Sequence, residues 1–267
     1  MTALRGVVNV CSMKIATWNV NSVRARLPRV IDWLEQRRPD VVCLQEIKCL
    51  DEQFPREAIE ALGYNIETFG QKTYNGVAIL AKSRIEDVER GFPGDGPDAQ
   101  HRAMLATVGD VMVLNLYVVN GEAVGSAKYA FKLEWMAKLA EFVQQRLDMR
   151  EKVVITGDFN VTFDDRDIGE PELWREKVLC STPERDALRK VMQPGLADAF
   201  RRFNEEPGHY TWWDFRTRGF ERGLGLRIDH FLMSEPALAA CSGVEIDKLT
   251  RGGEKPSDHA PVIATLK

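Results

Sequence analysis

The sequence predicts an α/β fold in which two mixed β-sheets pack face to face and carry helices on their outer surfaces. Three observations predict it. Short apolar, β-branched runs recur from one end of the chain to the other and outnumber helical patterns. Neighbouring runs look hairpin-linked, most plainly 103–108 and 111–118 around Gly109-Asp110. Too few helices intervene for an all-parallel doubly wound sheet, where every parallel connection needs a crossover. The 267 residues hold no repeat, low-complexity tract or linker, and residues 13–267 read as a single domain.

In chain order, residues 1–12 read as an N-terminal extension ahead of a first strand at 13–19. Residues 28–37 predict a helix, with Val30, Ile31 and Leu34 on one face and Pro28 in its first turn. Strands are expected at 41–45, 64–69 and 76–81, and the Gly- and Pro-rich segment 91–98 is a loop. After the hairpin, 126–147 is the strongest helix, with Leu133, Met136, Ala137, Ala140, Val143 and Leu147 at helical spacing. A strand at 152–157, a helix at 183–192 with Pro183 early, and strands at 227–233 and 261–266 complete the chain.

Hydrophobic residues at 44% and charged residues at 28% suit a soluble globular protein. No run approaches the roughly 18 apolar residues of a membrane span, and residues 1–12 make a poor signal peptide. A cytoplasmic protein is therefore expected. The net charge of −4 does not advertise nucleic-acid binding, yet a local basic face can coexist with acidic residues gathered at a metal. The five cysteines lack the paired close spacing of a zinc site and read as reduced thiols.

Several apolar runs end in metal-grade or proton-transfer side chains. Ile15-Ala16-Thr17-Trp18 runs into Asn19, Val41-Val42-Cys43-Leu44-Gln45 into Glu46, and Val153-Val154-Ile155-Thr156 into Gly157-Asp158-Phe159-Asn160. Ser257-Asp258-His259 precedes Ala260-Pro261-Val262-Ile263. Polar tips where strands meet loops suggest one cleft at a sheet edge, and hard oxygen donors with a single His suit Mg²⁺ or Mn²⁺. Each tip also has a plainer reading: Glu46 as a surface carboxylate or partner of Lys48, Asn19 as a turn residue, the Asp158 segment as an Asx turn. Asp229 is a candidate carboxylate for His259, while His230 should face the other way because strand side chains alternate. A serine hydrolase is disfavoured, since no Gly-x-Ser-x-Gly elbow exists. The stretch from His209 to Arg222 mixes aromatics with Arg, either as a core cluster beside a solvated loop or as a stacking and phosphate-binding surface. Trp213 in the core and Trp212 at the site would satisfy both.

Together these pieces resemble the exonuclease III family of abasic-site endonucleases, within the endonuclease–exonuclease–phosphatase superfamily. The resemblance runs from Met13 to Lys267. It rests on Thr17-Trp18-Asn19-Val20-Asn21, Leu44-Gln45-Glu46, Tyr74-Asn75-Gly76-Val77-Ala78-Ile79, Asn115-Leu116-Tyr117-Val118-Val119-Asn120-Gly121, Gly157-Asp158-Phe159-Asn160, Leu226-Arg227-Ile228-Asp229-His230 and Ser257-Asp258-His259-Ala260-Pro261-Val262. It implies a four-layer α/β sandwich and Mg²⁺-dependent hydrolysis of duplex DNA 5′ of abasic sites by a monomer, with Mn²⁺ able to substitute. It also implies 3′–5′ exonuclease and 3′-phosphodiesterase activity. Glu46 would be the principal metal ligand, with Asn19 and Asp258 around the same ion. Asp158 would orient or deprotonate the attacking water, and Asn160 would hold the water or the phosphate. Tyr117 would place its phenol on the scissile phosphate, and His259, paired with Asp229, would donate to a phosphate oxygen. Trp212 and Leu226 would wall a pocket for the baseless sugar, with Asn120 on the phosphate side. Arg216, Arg218 and Arg222 are candidate phosphate contacts, Lys72 a weaker one. Val119 stands where relatives often carry Pro, Asn21 where some carry Asp, and Thr162-Phe163 where Ala-Pro is common. The competing expectations are a general deoxyribonuclease or phosphatase on the same scaffold, and a non-catalytic DNA-binding module.

Overall fold

The computed structural model describes residues 12–267; the N-terminal extension expected over 1–12 lies, except for Ser12, outside the described residues. The strands are β1 (Met13–Asn19), β2 (Val41–Gln45), β3 (Asn65–Phe69), β4 (Val77–Ala81), β5 (Ile85–Arg90), β6 (Ala103–Val108), β7 (Val111–Tyr117), β8 (Lys152–Asp158), β9 (Ala197–Asp198), β10 (Asp229–Met233), β11 (Cys241–Ile246) and β12 (Val262–Leu266). The long helices are α1 (Leu27–Arg37), α3 (Ala127–Arg146) and α5 (Thr182–Met192), and the short ones α2 (Arg56–Glu60), α4 (Pro171–Trp174), α6 (Gly219–Arg222) and α7 (Glu235–Ala240). Every expected strand and helix is present, its ends shifted by no more than one or two residues. The edge strands β5, β9 and β11 are additions to what the sequence predicts.

The strands form two six-stranded sheets, in the orders β11-β12-β1-β2-β4-β3 and β5-β6-β7-β8-β10-β9. Each contains one parallel pair, β1 with β2 and β7 with β8, and antiparallel neighbours elsewhere. The parallel pairs need crossovers, and α1 and α3 supply them. Alternation along the strands then decides the layers. Ile15, Cys43, Ile79, Val113, Val154 and Phe231 point between the sheets and form the central core. Their neighbours Ala16, Trp18, Val42 and Leu44 point outward beneath Val30, Trp33 and Leu34 of α1. On the other outer face, Leu114, Leu116, Val153 and Ile155 lie under Met136, Leu139 and Val143 of α3 and Leu188 and Val191 of α5. The result is the four-layer sandwich. Cys43, Cys49, Cys180 and Cys241 are buried free thiols. Among the described residues no helix is long and apolar enough to cross a membrane.

One polar link crosses the central core directly below the polar strand ends. Asn115 of β7 donates to the carbonyls of Leu44 (3.0 Å) and Ala78 (2.9 Å) in the opposite sheet, and accepts from Gln45 Nε2 at 2.7 Å. Buried polar groups without partners are costly, so this link fixes how the two sheets register at the end that carries Glu46.

Candidate active site

The C-terminal ends of both parallel pairs lie at the same edge of the sandwich, where β1 delivers Asn19, β2 leads into Glu46, β7 ends on Tyr117 and β8 on Asp158. Register does the rest. Asp158 sits opposite Tyr117 on one side and Asp229 of β10 on the other. Gly157 is required for this approach: at φ 143° a Cβ would lie 1.9 Å from the Leu116 carbonyl oxygen. Glu46 (φ 50°) and Asn160 (φ 50°) both hold left-handed backbone, a conformation that the surrounding bonds must enforce for a Glu.

Asn19 bridges the two sheets' carboxylates. Its Nδ2 donates to Glu46 Oε1 at 2.8 Å and to Asp158 Oδ2 at 2.9 Å, while its Oδ1 accepts from the Asn21 amide at 3.0 Å. Glu46 Oε2 lies 2.7 Å from Lys48 Nζ, so the plainer reading of Glu46 as a partner of Lys48 holds alongside its place in the cleft. Asp158 Oδ1 accepts from the Asn160 amide (2.9 Å), the Asx turn that the sequence suggests. Asn160 Nδ2 donates to the Val118 carbonyl, and its Oδ1 accepts from Asn120 Nδ2 at 2.9 Å. Asn120 is otherwise exposed at the cleft rim.

His259 is nearly fully buried between two acids: its Nδ1 is 2.9 Å from Asp229 Oδ2 and its Nε2 is 3.7 Å from Asp158 Oδ2. Burial opposes the imidazolium, but the charges of Asp229 and Asp158 outweigh it and hold His259 up at about 10. Burial in turn pushes Asp158 up to about 7, against the pull of His259. The Tyr117 phenol is raised well above its ordinary value, first by burial and then by the Glu46 carboxylate; the Arg102 guanidinium packs 4.5 Å from its ring centroid. Arg102 carried no signal in the sequence beyond its place ahead of β6.

Asp258 is not one of the three residues whose ligand atoms lie within 4.8 Å of one another, and reaches Glu46 through Asn21 and Lys48. Asp258 accepts from Asn21 Nδ2 (2.9 Å) and Trp212 Nε1 (3.1 Å), which together with His259 hold its carboxyl below the usual range despite burial. Trp212 pairs with Leu226 through two backbone bonds of 2.9 Å, and Leu226 is fully buried with Ile168, Leu179 and Ile228 behind it. Trp213 enters the core, as expected. Arg216 is on an exposed turn with its guanidinium on Asp214, at 3.1 and 2.9 Å. Arg218, Arg222 and Lys72 are exposed as well.

His230 faces away from the cleft, as alternation predicts. Its Nε2 lies 2.7 Å from the Val161 carbonyl and its Nδ1 3.1 Å from Arg227 Nη1, so the neutral Nε2–H tautomer satisfies both. Burial, reinforced by Arg227, pushes His230 down to about 4. Its folded pKa thus lies below its unfolded value, near 6.5. The stability this neutral ring gives is complete above about pH 6.5 and is lost as pH falls toward about 4, by about 3 kcal/mol across the window. Urea unfolding at pH 7.5 and 5 should show about 2 kcal/mol of that loss in the parental chain and a smaller one in His230→Gln; equal losses would remove His230 as the cause.

Glu46, Asp158 and His259 each offer a ligand atom within 4.8 Å of the others. Two carboxylates tied to one amide NH₂ repel each other unless a cation lies between them, and their hard oxygens fit a divalent ion. The residue pattern of the Endonuclease/Exonuclease/phosphatase family matches residues 16–259. The chain belongs to that family. It is 38% identical to the exodeoxyribonuclease III of Haemophilus influenzae, over 96% of this chain and all of the relative. A Neisseria 3′ phosphatase, NExo, solved with a product DNA hairpin, superposes with a TM-score of 0.93 at 45% identity, covering 96% of this chain and 99% of that one. An AP endonuclease from Archaeoglobus fulgidus gives 0.92 at 35% identity, covering 96% and 99%. Family membership agrees with the resemblance read from the motifs.

Proposed function

We propose that this chain is a Mg²⁺-dependent DNA repair nuclease. It hydrolyses the phosphodiester 5′ of abasic sites in duplex DNA and removes nucleotides and blocking groups from 3′ ends. The observation that carries this reading is the convergence of Glu46, Asp158 and His259 from both sheets within 4.8 Å, with Trp212 bridged by its backbone to His259. Asp158, ionised and held by the Asn160 amide, orients a water and takes its proton as the water oxygen attacks phosphorus. The phosphorus–O3′ bond breaks and the departing 3′ oxygen takes a proton from solvent water, leaving a 3′-hydroxyl and a 5′-deoxyribose phosphate. His259, kept cationic by Asp229, donates to a non-bridging phosphate oxygen, and Tyr117, Asn120 and Asn160 orient the phosphate. A divalent ion on Glu46, with Asn19 and Asp258 beside it, would supply charge neutralisation of the phosphate and the departing oxygen. Asn19 offers its oxygen to such an ion by turning its carboxamide, and each Asp258 oxygen keeps a lone pair beside its bond to Asn21 or Trp212.

A missing base lowers the cost of unstacking the nucleotide, and an apolar wall excludes sugars that still carry one. Arg216 can trade Asp214 for a DNA phosphate cheaply, since that ion pair is at the surface and worth little. The protein works as a cytoplasmic monomer in this reading. Abasic duplex, 3′-phosphorylated duplex, intact duplex and an inositol phosphate should be offered in turn, with Mg²⁺ and with excess chelator. Nicking 5′ of the abasic site that chelator stops is the expected result. Nicking that survives chelator, or a preference for the inositol phosphate, would overturn the proposal.

A further inference from the structure

Lys132 is fully buried in the second turn of α3, a placement rare for lysine. Its ammonium pairs with the equally buried Glu184 of α5. An ion pair of this kind gives no reliable stability over an apolar pair of the same size, so its other bonds are the informative ones. Lys132 Nζ donates to the Asn160 carbonyl at 2.7 Å and to the Asn120 carbonyl at 3.1 Å. These are the two asparagines joined by their own carboxamides at the cleft. Both stretches need holding. Asn160 has left-handed backbone, Gly121 has φ 94°, and a Cβ at Gly121 would meet Lys132 Cδ at 3.1 Å. Val119 lacks the ring by which Pro would fix φ in the same turn. Glu184 is itself braced: it accepts from the Ser181 amide (3.1 Å) and hydroxyl (2.6 Å) and from the Leu179 amide (3.0 Å). Tyr129 of α3 bonds Ser181 at 2.6 Å and closes the network.

We propose that Lys132 is a positioning residue: braced by Glu184, it clamps the Asn120 and Asn160 carbonyls so that both carboxamides are preset for the substrate phosphate. The role rests on the functional reading above, but the clamp itself can be read without substrate. Lys132→Met combined with Glu184→Gln removes both charges, and Gln keeps the helix cap at that position. Its thermal midpoint should stay within a few degrees of parental. Amide hydrogen exchange should accelerate in peptides spanning 118–122 and 158–162, and kcat on abasic duplex should fall at least about tenfold with KM nearly unchanged, as small misplacements of orienting groups do. Glu184→Gln alone leaves the buried ammonium without its counter-charge and should unfold at a lower temperature than the double variant. Unchanged exchange in both loops, or parental kcat in the double variant, would overturn the clamp. A parental protein that cleaves no phosphodiester would instead defeat the functional reading, with the exchange result still deciding the clamp.

Discussion

Asp158→Asn is expected to lower turnover on abasic duplex by at least about a hundredfold while leaving DNA binding intact. The substitution keeps the shape of a side chain that is almost wholly buried. It removes a carboxylate that touches residues from both sheets, accepting from Asn19 and Asn160 and facing His259. An amide cannot take the water's proton, and its NH₂ must displace one of those donors. The same pairing dictates a pH profile. The working form is Asp158 ionised with His259 protonated, and it prevails between about 7, where Asp158 titrates, and about 10, where His259 does. In kcat/KM these limbs belong to the pair rather than to either residue. A bound divalent cation favours the carboxylate and draws the acid limb lower. The Asn variant should lose the acid limb along with the rate. Rapid-quench kinetics on a single abasic duplex across that pH range checks both, and a variant cutting near the parental rate would exclude Asp158 as the base.

The second large effect is expected at Glu46. Glu46→Gln should reduce turnover at millimolar Mg²⁺ by at least about a hundredfold, since a metal's contribution to a phosphoryl centre is several kcal/mol. Raising the metal concentration should recover part of the loss. The fold should be unaffected, because the side chain is partly exposed and its Asn19 bond can pass to the Gln carbonyl. A loss that no concentration of metal relieves would point to a role for Glu46 other than ligation.

The parts legible in the sequence were those whose physics is local. The apolar runs before Asn19, Glu46 and Asp158 are interior strands, buried on both faces, and nothing but a strand accounts for them. β5 escaped because it is an edge strand, where Glu86, Asp87, Glu89 and Arg90 leave little apolar alternation. β11 is likewise an edge, with Ser242 and Glu245 in solvent, and β9 is too short to carry a pattern. The union of Asp229 with His259 was proposed from residue type, but spacing could not establish it: it depends on the register of β10 against β8 and on Trp212 bridging to His259. Asp258 and His259 are neighbours in the chain but have different partners, Asn21 and Trp212 for Asp258 and the acids Asp229 and Asp158 for His259. Lys132 was hidden for the opposite reason, since a lysine within an amphipathic pattern reads as part of the wet face.

The binding of a divalent cation at Glu46 is tested most directly with Mn²⁺, followed by electron paramagnetic resonance in the absence of DNA. One ion per parental chain, lost or weakened at least about tenfold in Glu46→Gln, is the predicted result. Equal binding by parental and Glu46→Gln proteins would contradict it.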